Sequence, residues 1–148
     1  MLNFINNPHH ITQKEILECV NLLNNKYKNT TNNIKFYRNK LHAMFSYYKN
    51  HEFNKNDFKS IINGATCAAY LTGSKMIHVY SFNIKKHTEK KYLKQHIIYS
   101  ILHEIRHNYQ SIYAPKKFNR EANYYISSGE GYSQQWIERD ANKFAITF

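Results

Sequence analysis

The chain has 148 residues and a mass of 17.8 kDa, enough for one domain with a real core and too short for two. A hydrophobic fraction of 42% with 16% aromatics excludes a disordered polyelectrolyte, and four glycines with two prolines exclude collagen-like or proline-rich repeats. The formal charge of +11 invites a polyanionic partner, but 17 Lys stand against 4 Arg, and Arg is the residue that bidentate phosphate and base recognition prefers.

Asn, Lys, Ile, Tyr and Phe make up half of the chain, the set that an AT-rich gene supplies by default, so part of the lysine excess reads as codon bias. Taken in order, Thr12 and Glu15 have capping-box spacing, so a helix is expected from Thr12 with Ile16, Leu17, Val20, Leu23 and Tyr27 recurring at helical intervals. Asn29 to Asn33 is a polar break. A second amphipathic helix is expected from about Ile34 to Lys49, with Leu41, Met44, Phe45 and Tyr48 on one side. Residues 1–60 therefore read as a helical N-terminal part. Ala65–Thr72 is short, small and β-compatible, Gly73-Ser74 follows as a turn and Met76–Ile84 alternates, the pattern of an antiparallel hairpin over 65–84. A hairpin this short needs a helix on one face.

From Thr88 to Ala114 the period is helical again, with Ile97, Ile101, Leu102 and Ile105 on the apolar face and Ala114-Pro115 as its end. Lys116 to Tyr132 is a connection with a short helix around Arg120–Ile126. Ser133 is the expected cap of a last helix over 133–148 that carries Trp136, Ile137, Ala141 and Phe144. The expected fold is α+β: one mainly helical domain over 1–148, with a small antiparallel or mixed sheet packed on the 88–114 helix. Cys19 and Cys67 are too few for a disulfide framework and read as small buried hydrophobes. Neither a signal peptide nor an apolar run of about 18 residues is visible, so a reduced, cytoplasmic protein without membrane spans is expected.

The carboxylates point to chemistry. Residues 1–100 carry 15 basic and 5 acidic side chains, whereas 101–148 carry 6 and 5. Within that nearly neutral third stands His103-Glu104-Ile105-Arg106-His107. Residues i and i+4 lie one above the other on a helix, so both imidazoles can meet one metal ion, with Glu104 placed to act as general base on a bound water. No histidine follows His107, and Gln110 and Tyr113 stand where a downstream-histidine pattern has Gly and His. A third ligand must be a carboxylate: Glu121, Glu130, Glu138 or Asp140. Glu138 is best placed, because Glu138, Ala141, Asn142 and Ala145 share one helix face. Asn142 is then positioned to accept the free N–H of a ligand imidazole, and Asp140, about 200° round the helix, is expected to face solvent. His78 and His96 read as structural or surface residues, and His9-His10 as an exposed, inert pair.

His103-Glu104-x-x-His107 followed by Glu138-Arg139-Asp140-Ala141-Asn142-Lys143-Phe144-Ala145 resembles the ImmA/IrrE-type zinc metallopeptidases of the gluzincin group, over about residues 76–148. The resemblance implies a zincin-like domain, zinc held by His103, His107 and Glu138, and Glu104 as catalytic base. It also implies a protein substrate, a regulator such as a DNA-binding repressor of a phage or mobile element. Tyr132, between Gly131 and the last helix, is the candidate donor to the oxyanion, and the 76–84 strand is the expected place for an extended substrate. Two other classes stay open: a nucleic-acid-binding module that uses the basic first 100 residues around a non-catalytic metal site, and a partner-binding domain.

Overall fold

The computed structural model describes residues 3–8, 11–28, 33–71, 74–126 and 129–147. In chain order the elements are β1 (Asn3–Ile5), α1 (Gln13–Asn21), α2 (Asn25–Lys28), β2 (Asn33–Tyr37), α3 (Lys40–Asn50), α4 (Lys55–Asn63), β3 (Ala68–Leu71) and β4 (Met76–Tyr80). After these come α5 (Ser81–His87), a 3-10 turn at Lys90–Tyr92, α6 (Leu93–Tyr113), α7 (Pro115–Asn123), α8 (Glu130–Gln134) and α9 (Trp136–Ile146). The result is a mainly helical α+β fold around a four-stranded mixed sheet of order β1-β2-β4-β3. β1, β2 and β4 run parallel, and β3 returns antiparallel on β4. No helix among the described residues is long and apolar enough to cross a membrane.

Several local expectations hold. Thr12 and Glu15 form the capping box of α1, and the β3–β4 hairpin pairs Ala68 with Val79 through Leu71 with Met76. Pro115 ends α6 by opening α7 at its first turn, where a proline costs no hydrogen bond. The His9-His10 pair and Gly73 lie outside the described residues.

The N-terminal part is not all helical. Asn33–Tyr37 is a strand, and only at Lys40, with Asn39 as cap, does α3 begin. Ile34 and Phe36 enter one core while Lys35 and Tyr37 face the other, an alternation that a helical reading of 34–49 overlooks. The stripe of Leu41, Met44, Phe45 and Tyr48 on α3 points outward. Ala43 and Ser46 are the side chains buried beneath this helix, Ala43 in the aromatic cluster of Tyr37 and Phe53 and Ser46 beside the Lys35 ammonium. Lys35 Nζ donates to both oxygens of Glu52 at 2.6 and 2.8 Å, and the Tyr37 hydroxyl donates to Glu52 Oε2 at 2.5 Å. Tyr37 in turn accepts from His78 Nδ1 at 2.9 Å. His78 is thus a buried packing residue, and burial pushes its pKa down to about 4.

The sheet separates two cores. Ile34, Phe36, Ile77 and Val79 meet Ile16 and Val20 of α1 and Ile97, Ile101, Leu102 and Ile105 of α6. On the opposite face Tyr37 and Tyr80 pack with Ala43, Phe53 and Ile61. The 76–84 segment is a strand only to Tyr80, and it is paired on both sides, by β2 and by β3. It cannot take an added strand. The edge next to α6 is β3. Cys19 and Cys67 are free and half-buried rather than enclosed.

Candidate metal centre

α6 carries the centre on its middle turns. Its apolar residues anchor one side in the core, which turns His103, Glu104 and His107 toward a cleft of about 680 Å³ between β3, α7, α8 and α9. All three side chains are nevertheless mostly buried. One helical turn brings the two imidazoles together, with Nε2 to Nε2 at 2.8 Å.

α9 packs along α6 and supplies the third group. Glu138 is 2% exposed; its Oε2 lies 3.3 Å from His103 Nε2 and its Oε1 3.5 Å from His107 Nε2. Two imidazole nitrogens and a carboxylate oxygen bound at about 2.0–2.1 Å to a tetrahedral ion would be about 3.3 Å apart. The observed separations bracket that value. Glu138 Oε2 is also buried without an aligned hydrogen bond, an acceptor left for a cation. His103, His107 and Glu138 can hold a metal ion, and among the described residues they are the one such group of three. Burial works against a charged Glu138, but its contacts with the two imidazoles outweigh that and hold its pKa well below the usual carboxylate range. Burial likewise disfavours a charged His107, but Glu138 and Glu104 raise its pKa to about 9.

Around His107 runs a polar relay that spacing alone did not assign. Gln110 Oε1 accepts from His107 Nδ1 at 2.9 Å, which leaves the Nε2 lone pair for the centre. Gln110 Nε2 donates to Asp140 Oδ2 at 2.7 Å and to the Ile137 carbonyl at 3.0 Å. Arg106 closes a two-pronged pair on Asp140 at 2.7 and 2.9 Å and donates to the Tyr27 hydroxyl. Asp140 is therefore half-buried and paired, not solvent-facing: the far side of α9 meets the flank of α6 from which Arg106 and Gln110 project. Gln110→Leu is expected to weaken metal affinity about 10- to 100-fold, the usual loss when the partner that orients a ligand imidazole is removed. Competition against a metal indicator would measure it. Unchanged affinity would show that packing alone fixes the His107 ring.

Asn142 does not reach a ligand imidazole. Its Oδ1 accepts from the Tyr99 hydroxyl at 2.5 Å, and Tyr99 occupies the space one turn before His103. His103 Nδ1 consequently has no hydrogen-bond partner among the described residues. Tyr132 does line the cleft, beside Glu138. Tyr125, which nothing in the sequence singles out among 13 tyrosines, donates to Glu138 Oε1 at 2.8 Å. It is held there by Gln135, whose side-chain amide accepts from the Ile126 N–H at 2.9 Å and donates to the Ile126 carbonyl at 2.8 Å. Burial raises the pKa of both phenols, and Glu138 raises them further, so both keep their protons.

Glu104 accepts from the Tyr70 backbone N–H at 2.8 Å. Tyr80 N–H bonds to the Cys67 carbonyl, which makes Cys67, Ala69 and Leu71 the residues that bond across to β4, and turns Ala68 and Tyr70 to the free edge. The carboxylate next to the two converging histidines thus sits on the outer edge of the sheet. His96 also lines the cleft, with its Nδ1 against Thr88 Oγ1. No protein-family model matches this chain, and neither a curated protein nor a solved structure does, so the reading of the centre rests on its own geometry.

Proposed function

We propose that the chain is a zinc-dependent metalloendopeptidase that acts on a regulatory protein, as the ImmA/IrrE resemblance implies. The observation that carries this reading is one cleft holding three convergent ligands, a neighbouring carboxylate and the unpaired edge of β3. A structural zinc site is normally closed by four ligands with cysteine among them, whereas two histidines and one carboxylate leave a position open. Zinc, when bound, supplies Lewis acidity and a nucleophilic water at neutral pH.

The protein's own groups do the rest. An extended peptide lies along β3 by strand addition, exchanging main-chain hydrogen bonds with Ala68 and Tyr70. By taking the Tyr70 N–H it frees Glu104 Oε2, which then accepts the proton of the attacking water and delivers it to the leaving amine. Tyr125 and Tyr132, protonated and 6.0 Å apart between ring centroids, are the donors available to a developing oxyanion. The zinc-loaded protein is expected to cleave an unstructured protein such as casein, to stop on chelation and to resume when zinc is returned. Hydrolysis that survives chelation would remove this reading.

A further inference from the structure

We propose that the second cavity beside β3 is a subsite for a long basic side chain of the bound peptide. This rests on the peptidase reading for the peptide, but not for the cation. The cavity, of about 400 Å³, lies at the β3 edge: Phe53, Ile61, Leu71 and Tyr80, from the core on the sheet face opposite α6, form its apolar walls, and Ala122 and Tyr125 border it on the side of the metal cleft. Asp57, Thr66, Ala69 and Tyr70 border both this cavity and the metal cleft, as do Ala122 and Tyr125, so the two are adjacent along the strand. Side chains of an extended peptide alternate between the two faces of the sheet that it joins. Those not directed toward the metal cleft therefore face this cavity.

Two groups define what it takes. Among the described residues, the exposed Asp57 has no lysine, arginine or histidine within salt-bridge distance, a condition that only Glu104 and Glu121 share among the described carboxylate side chains. In a chain of charge +11 an unpaired carboxylate at a cavity is conspicuous. Its place in the first turn of α4, where it accepts from Asn54 Nδ2 at 2.6 Å, accounts for a negative charge but not for the apolar walls beside it. Independently, Tyr80 is fully buried in the wall, and its hydroxyl has no hydrogen-bond partner among the described residues. Such a group costs stability unless something pairs with it. A lysine or arginine satisfies the whole set: its stem covers the apolar walls, its cation pairs with Asp57, and one of its N–H groups donates to the Tyr80 oxygen.

Binding is tested with blocked pentapeptides of alanine whose central residue is Arg, Lys, norleucine, Phe or Glu. Fluorescence anisotropy on the zinc-loaded Glu104→Gln protein reads affinity without turnover. The Arg or Lys peptide is expected to bind about tenfold or more tightly than the norleucine peptide, the usual gain of a charged hydrogen bond. Asp57→Asn should erase that ratio. Tyr80→Phe should reduce it while holding or raising the thermal midpoint, because the buried hydroxyl has no partner in the free protein. Equal binding of Lys and norleucine, tighter binding of Phe, no binding of any peptide, or a ratio untouched by Asp57→Asn would each overturn the subsite. A basic preference without cleavage of any peptide by the wild type keeps the subsite and removes the peptidase. Cleavage without that preference does the reverse.

Discussion

Glu104→Gln is expected to lower peptide turnover by about 10²–10⁴-fold, the range for loss of a general acid–base, while zinc stays bound at one equivalent. The two effects separate because Glu104 is not among the converging donors: its carboxylate meets the Tyr70 N–H, and the ligand set is complete without it. Glutamine has the same shape, and its amide oxygen still accepts from Tyr70, so the edge strand and the helix keep their relation. What is lost is an atom that can take a proton. Steady-state cleavage with metal analysis of the same sample reads both quantities. Unchanged turnover would eliminate Glu104 as the base, and loss of zinc would mean that it belongs to the ligand set.

Glu138→Ala is expected to weaken zinc binding by on the order of 10³-fold, since one of three donors goes and the binding energy of such sites is shared among few ligands. His103→Ala should do the same. In both variants the remaining groups stay buried with partners missing: without Glu138, Tyr125 loses its acceptor and the imidazoles face each other at 2.8 Å with only Glu104 as an anion nearby. Asn142→Ala is the control on the same helix. Asn142 touches Tyr99 rather than a ligand, and its loss should leave zinc affinity within the error of the titration. Retention of zinc by Glu138→Ala at wild-type affinity would assign the third position to another residue.

What could be read from the sequence is what local periodicity encodes. His103 and His107 meet because four residues make one turn, and Glu138 reaches them because α9 presents it on the face of Ala141 and Ala145, small and buried residues that let the helices approach closely. The hairpin was legible for a similar reason, in the alternation of Ile77 and Val79 with His78 and Tyr80. β1 and β2 were not. Their pairing is parallel and joins segments about 30 and 40 residues apart, Phe4 with Ile34 and Ile34 with Ile77, and nothing local marks such a partner. The mixed content of 34–49 carries an apolar stripe at helical spacing, Leu41, Met44, Phe45 and Tyr48, that ends up outside and masks the strand before it.

The same limit separates the groups around the ligands. Gln110, three residues after His107, shares a helix face with it and was within reach of a spacing argument. Asp140 was not, since a helical wheel gives its angle from Glu138 but not that Arg106 waits on the other flank of α6. Tyr125 lies beyond α7 on a segment placed by the Gln135 side chain. That contact is tertiary, and no repeat or spacing announces it.

Zinc-edge X-ray absorption of the zinc-loaded wild-type protein tests the ligand assignment most directly. One zinc per chain is expected, with a shell of nitrogen and oxygen only at about 2.0–2.1 Å and outer scattering from two imidazoles. A sulfur shell near about 2.3 Å, drawn from Cys19 or Cys67, or a spectrum with no imidazole scattering, would contradict it.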